Sequence, residues 1–261
     1  MDPADGLRIE VKATEHRGSA AVDDLLYADD SIGEVEAFLV RPATSSASPR
    51  SGIVWWHWLD SEAPDGNRTE FLDESVALAA DGTVSLLIQG RFPWRVDPDS
   101  AAADSRQIAD EVLRLRRGLY LLAARDDVDA DRLAVVGHDF GGMFGILALA
   151  ADPRPKGGVV IAAVPRWGDW FLPFWQIEED RIDYLRGLRP FDPLEHVGEI
   201  APRPLFFQFA ESDFFIAPMT QFEFRRAAGD TAEFKRYPGG HSLRVDAVRD
   251  DRREFLARVL A

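Results

Sequence analysis

The sequence predicts an α/β fold built on a mostly parallel sheet, and three observations carry that prediction. Short apolar runs alternate with segments of helical periodicity along the chain, which is the pattern of strands joined by crossover helices. One apolar run ends in Gly137-His138-Asp139-Phe140-Gly141-Gly142 and passes directly into a second apolar segment, so a strand turns sharply into a helix there. An acid and a histidine, Asp213 and His241, follow two late segments read as strands, at the strand ends where open parallel sheets collect their ligands.

Composition narrows the class. At 261 residues and 46% hydrophobic content, the chain can bury the core of a single domain over residues 1–261. With no cysteine, disulfides and thiolate metal sites are excluded. The formal charge of −15 repels nucleic acid and anionic lipid, and no stretch reaches the ~18 uninterrupted apolar residues of a membrane span. The first residues carry neither the basic region nor the apolar run of a signal peptide. The expectation is a soluble cytoplasmic protein with a small-molecule substrate, no nucleic-acid partner and no membrane partner, its oligomeric state left open.

Taken in order, residues 7–13 and 32–40 alternate apolar and polar side chains and read as strands of an antiparallel start to the sheet. Residues 43–51 are small, polar and proline-containing, a surface loop. Residues 52–56 and 83–88 are apolar strands on either side of a helix-like segment over 71–80. Residues 104–125 place Ile108, Val112, Leu115, Leu119 and Leu122 at helical spacing and lead into the strand at 133–136. Beyond the elbow, 158–164 is another apolar strand. Residues 165–193 then break the rhythm with a tryptophan-rich segment and a charged helical stretch, and read as a small lid inserted in the domain. A strand over 204–209, a helix over 221–228, a strand over 233–237 and an amphipathic helix over 247–260 complete the chain. There is no internal repeat.

The turn at Asp139 holds the strongest local signal. Gly137 and Gly141 stand two residues before and two after it, where a sharp strand-to-helix turn leaves no room for side chains. An aspartate that merely caps the following helix is the structural alternative. The turn resembles the G-x-S-x-G nucleophile elbow of the α/β-hydrolase fold with aspartate in place of serine, and its G-H-D-x-G-G form is similar to that of epoxide hydrolases and haloalkane dehalogenases. The chain order Asp139, Asp213, His241 is the nucleophile–acid–histidine order of that fold. The late Ala210-x-x-Asp213-x-x-Ile216 and Gly239-Gly240-His241 segments resemble the dienelactone hydrolase group, whose members carry cysteine, and whose esterase relatives carry serine, where this chain has Asp139. These resemblances imply a catalytic triad of Asp139, Asp213 and His241, with Asp169 as the alternative acid. They also imply an oxyanion hole from the N–H groups of Trp58 and Phe140. His138 should point away from the nucleophile and is read as structural.

An aspartate nucleophile favours particular chemistry. Its carboxylate is ionised at neutral pH without help from a base. Attack on an ester carbonyl gives an anhydride, whereas attack on a saturated carbon bearing an epoxide oxygen or halide gives a stable alkyl ester. His241, held by Asp213, would then activate water against the Asp139 carboxyl carbon. Tyr184 is the lid tyrosine available to protonate a leaving oxygen. Halide removal is demoted because Phe140 stands where haloalkane dehalogenases commonly place tryptophan.

Five of the seven tryptophans, Trp58, Trp94, Trp167, Trp170 and Trp175, fall in loops after strands. With His57 they suggest an aromatic-lined cleft, bordered by Arg91 and Arg95. The expected function is a hydrolase acting through an Asp139 alkyl-enzyme ester, on an epoxide of a bulky apolar or aromatic molecule. The alternatives are an esterase or lactonase of dienelactone hydrolase type, in which Asp139 acts as a general base on water or has been repurposed, and a catalytically silent binding protein of the same fold. No metal or organic cofactor is implied, because there is no phosphate-binding glycine-rich loop and the five histidines lack paired metal spacing.

Overall fold

The computed structural model describes residues 6–46 and 48–261. Residues 1–5, where no signal peptide is expected, and Ala47 of the 43–51 loop lie outside the described residues. Within them the chain forms strands β1 (Arg8–Arg17), β2 (Ala20–Asp29), β3 (Gly33–Pro42), β4 (Arg50–Trp56), β5 (Val84–Ile88), β6 (Val128–His138), β7 (Gly157–Ile161), β8 (Leu205–Ala210) and β9 (Ala232–Tyr237). The helices are α1 (Leu72–Ala80), α2 (Ala101–Ala123), α3 (Phe140–Ala151), α4 (Trp167–Phe174), α5 (Arg181–Leu188), α6 (Pro193–His196), α7 (Pro218–Ala228) and α8 (Asp246–Val259).

The strands make one sheet in the order β1-β2-β3-β5-β4-β6-β7-β8-β9. Pairings from β1 through β3 to β5 are antiparallel, and those from β5 across to β9 are parallel. β4, β5, β7 and β8 are buried along their whole length, which is why they read as apolar runs and not as alternating ones. Consecutive side chains on β4 serve opposite faces: Trp55 packs on Phe71 just ahead of α1 at 4.9 Å, and Trp56 on Phe144 of α3 at 5.3 Å. α8 joins α1 on its face through the Arg252–Glu74 ion pair at 2.5 Å, while α2 packs beside α3.

Sequence periodicity predicts no strand over residues 20–29, yet β2 is central to the antiparallel half. Its adjacent acids Asp23 and Asp24 break the apolar alternation that marks a strand. Both are satisfied from outside the strand: Asp23 accepts from Arg41 Nε at 2.9 Å and Thr14 Oγ1 at 2.7 Å, and Asp24 from Arg68 Nη1 at 2.8 Å. β1 is the exposed edge and carries Arg8, Glu10, Lys12, Glu15 and Arg17, charges that discourage pairing with another chain. Among the described residues no helix is long and apolar enough to cross a membrane.

The connections fix where a site can form. From β4 the chain moves to β5 on one side, then returns past β4 to β6 on the other. The order reverses at β4, so a crevice opens beyond the carboxyl ends of β4 and β6.

Candidate active site

Asp139 stands in that crevice, between the end of β6 and the start of α3, with φ 56° and ψ −118°. This is a left-handed, strained conformation for a residue with a side chain. The flanking glycines make it possible. A Cβ on Gly137 would lie 2.0 Å from the Gly141 carbonyl oxygen, and one on Gly141 would lie 2.3 Å from that of Trp56. The Asp139 side chain makes no capping bond to α3, so helix capping does not account for it.

The carboxyl group is 2% exposed as a residue. Its Oδ2 accepts the Leu59 N–H at 3.1 Å, and its Oδ1 has no protein partner. Burial pushes its pKa up to about 7, against the pull of His241 and the Leu59 N–H.

His241 follows β9 and Asp213 follows β8. The His241 Nδ1–H donates to Asp213 Oδ2 at 2.9 Å, which leaves Nε2 as the nitrogen free for proton transfer, and Nε2 is buried without a protein partner. Asp213 Oδ1 accepts the N–H groups of Phe215 and Ile216 at 2.9 and 3.2 Å. Burial alone would raise the Asp213 pKa. The hydrogen bond and charge of His241, with the two N–H groups, outweigh it and hold the carboxyl below its usual range. Asp169, the alternative acid, lies instead on α4, 3.8 Å from Arg166.

A cavity of about 350 Å³ opens over Asp139 and His241. Trp58, Phe140, Trp170, Phe174, Trp175 and Phe215 wall it with rings, and Leu59, Asp60 and Ser61 complete it. The indole N–H groups of Trp58 and Trp175 are committed to the Asp65 carbonyl and to Asp97, whereas that of Trp170 has no protein partner.

Several sequence expectations are corrected here. The Trp58 N–H donates to Glu70 Oε2 at 2.8 Å, so the backbone donor aimed at Asp139 is that of Leu59, one residue later. The Phe140 N–H, at the first position of α3, is one of the donors a helix leaves without an intrahelical partner. His57 does not reach the cavity: its Nδ1–H donates to the Trp58 carbonyl at 2.9 Å, its Nε2 accepts the Gly90 N–H at 3.0 Å, and burial pulls its pKa down to about 3. Trp94 and Trp167 form the layer behind the wall, 6.1 and 6.2 Å from the Phe140 ring. Tyr184 is fully buried and its hydroxyl donates to Asp104 Oδ2 at 2.6 Å, facing α2. Arg91 and Arg95 line a different cavity, with Lys12 and Glu36, and Arg95 pairs with Glu36 at 3.1 Å.

Glu70 carries no local sequence signal, and sequence reasoning missed it. Its Oε1 lies 2.6 Å from His138 Nδ1, and His138 Nε2 lies 3.0 Å from the His241 carbonyl oxygen.

No family model matches the sequence, and no curated protein does. Solved structures match over nearly the whole chain. An acetyl xylan esterase from Paenibacillus sp. R4 superposes with a TM-score of 0.75 at 20% identity, covering 97% of this chain and 88% of that one. A glucuronoyl esterase from Solibacter usitatus gives 0.72 at 17% identity, over 98% and 87%. An S-formylglutathione hydrolase from Agrobacterium tumefaciens gives 0.71 at 14% identity, over 97% and 100%. With the parallel sheet, the crossover order and the elbow after β6, this likeness establishes that the chain has the α/β-hydrolase fold.

Proposed function

We propose that the protein hydrolyses carboxylic esters or lactones of small apolar or aromatic molecules, with Asp139 and His241 acting together on water. One observation carries the reading: Asp139 Oδ1 and His241 Nε2 are both buried, both lack a protein partner, and both border one aromatic cavity. A carboxyl with a pKa of about 7 is matched to act as a general base near neutral pH.

In the working form Asp139 is ionised and His241 is protonated. Asp139 takes a proton from water as the water oxygen bonds to the ester carbonyl carbon. The tetrahedral intermediate collapses, its C–O bond to the alcohol breaks, and His241 Nε2–H protonates the departing oxygen. Transfer of the proton from Asp139 to His241 restores the starting state. Asp213 keeps the His241 ring oriented throughout. The solved structures that resemble the chain are named as esterases and a hydrolase, which supports ester chemistry over epoxide opening. So does the cavity wall, which includes no tyrosine: an epoxide oxygen needs a proton donor, and the Tyr184 hydroxyl is occupied by Asp104.

A second reading keeps the alkyl-enzyme ester, because the Leu59 N–H already holds Asp139 Oδ2 while Oδ1 is left to attack. Here Oδ1 bonds to an epoxide carbon as that carbon's ring C–O bond breaks and the freed oxygen takes a proton from water; a second water, deprotonated by His241, then adds to the Asp139 carboxyl carbon and expels the diol, whose oxygen receives the proton from His241. Turnover of p-nitrophenyl acetate, an aromatic lactone and styrene oxide by the wild type and Asp139→Asn separates the readings. Ester or lactone turnover falling by about 10³-fold in the variant supports the first. Epoxide turnover without ester turnover replaces it with the second, and silence toward all three points to a binding protein.

A further inference from the structure

Glu70 lies in the loop ahead of α1 and touches neither the cavity nor, by any hydrogen bond, Asp139. It nevertheless joins the two loops that bracket the candidate site. Its Oε2 accepts the N–H of Trp58, the residue before Leu59, and its Oε1 meets His138, which in turn meets the backbone of His241.

The polarity of these bonds locates a proton. A carbonyl oxygen only accepts, so the His138 nitrogen facing the His241 carbonyl must be Nε2–H. In a neutral ring Nδ1 is then a lone pair, and at 2.6 Å it requires a donor from Glu70. The remaining oxygen, Oε2, is free to accept from Trp58, as observed. One proton held in the Glu70–His138 bond thus satisfies every group in the chain Trp58–Glu70–His138–His241, as a carboxylic acid facing a neutral ring or as a carboxylate facing an imidazolium, and burial favours the uncharged pair. Burial pushes in the same direction at both members, raising the Glu70 pKa well above the carboxylate range and pulling that of His138 down to about 3. Around Glu70, Asp65 and Glu74 reinforce the rise and Arg252 opposes it, but Arg252 is itself committed to Glu74 and Gln208.

We propose that Glu70 is a positioning residue that works as a protonated carboxyl, holding the Leu59 N–H and the His241 loop in register with Asp139. Losing it frees the Trp58–Leu59 segment from the elbow strand and removes the group that fixes the His138 tautomer holding the His241 carbonyl, and a displacement of about 1 Å at reacting groups costs about 100-fold in rate. Its effect on turnover rests on the proposed function; the position of the proton does not.

Two measurements on the full chain test this. With nitrogen-labelled histidine, NMR at neutral pH is expected to find His138 neutral with the proton on Nε2; an imidazolium or an Nδ1–H tautomer overturns the assignment. With p-nitrophenyl acetate, Glu70→Ala is expected to lower kcat about 100-fold with little change in KM. Glu70→Gln is expected to restore kcat to within about threefold of the wild type, because its amide N–H reaches Nδ1 and its amide oxygen accepts from Trp58. A glutamine variant as impaired as the alanine variant shows that an ionised carboxylate is required and overturns the proposal. If the wild type cleaves no ester, the functional reading fails while the His138 tautomer still decides the place of the proton.

Discussion

The Leu59 N–H donates to Asp139 Oδ2 at 3.1 Å, so the backbone donor beyond β4 is occupied by the elbow residue's own side chain. A serine at the elbow has no second oxygen to fill that position. Asp139→Ser therefore frees the Leu59 N–H to receive a substrate oxyanion and sets a hydroxyl beside His241, whose pairing with Asp213 is intact. The expected outcome is a covalent adduct with a fluorophosphonate probe in Asp139→Ser and none in the wild type, read by intact mass.

Asp139 makes the folded protein less stable as the pH rises. Its folded pKa of about 7 exceeds the unfolded value of about 3.9, so the folded state holds the proton more tightly. The stabilisation this gives is complete below the unfolded value and is lost as the pH rises to the folded one. Above about 7 the buried charge costs roughly 4 kcal/mol relative to a neutral group. Asp139→Asn should accordingly raise Tm on the alkaline side of neutrality and change it little in acid, as thermal unfolding across a pH series will test.

Tyr184→Phe is expected to lower stability by about 1–3 kcal/mol, because it strips the buried Asp104 carboxyl of a hydrogen bond. Ester turnover should stay within about twofold, since a lost hydroxyl outside the cavity removes no acid from the reaction. Chemical denaturation and kcat on one preparation give both numbers.

The elbow tolerates no Cβ at its second glycine. Gly141→Ala sets a methyl group against the Trp56 and His57 backbone at 2.3 to 2.8 Å, and neither strand end can move without breaking the sheet. A loss of at least about 4 kcal/mol, or no soluble protein, is expected in an expression and thermal-shift comparison.

How much of this was readable from the chain depends on the range of the interaction. Asp139 and Asp213 each follow an apolar strand, His241 follows a Gly-Gly turn after a short strand, and the elbow advertises itself through glycines two positions away, so local sequence was enough to pick them out as candidates. The parallel half of the sheet was legible because burial on both faces produces continuous apolar runs. β2 was not, because its acids are compensated by Thr14, Arg41 and Arg68, side chains outside the strand that local periodicity does not register. The N–H that faces Asp139 belongs to Leu59 and not to Trp58 for a similar reason: Glu70, twelve positions on, claims the Trp58 N–H. Tyr184 was set in the cavity because its segment was read as lid, while the direction of its side chain is fixed by Asp104 on α2.

The central claim is that Asp139 activates water and does not itself bond to the substrate. The most direct test is a single turnover of p-nitrophenyl acetate, with enzyme in excess, in heavy-oxygen water, followed by mass spectrometry of the acetate and of the peptide containing Asp139. Label in the acetate and none in the Asp139 carboxyl is the predicted result. Label in the Asp139 carboxyl would mean that its own oxygen had attacked, and would contradict the account.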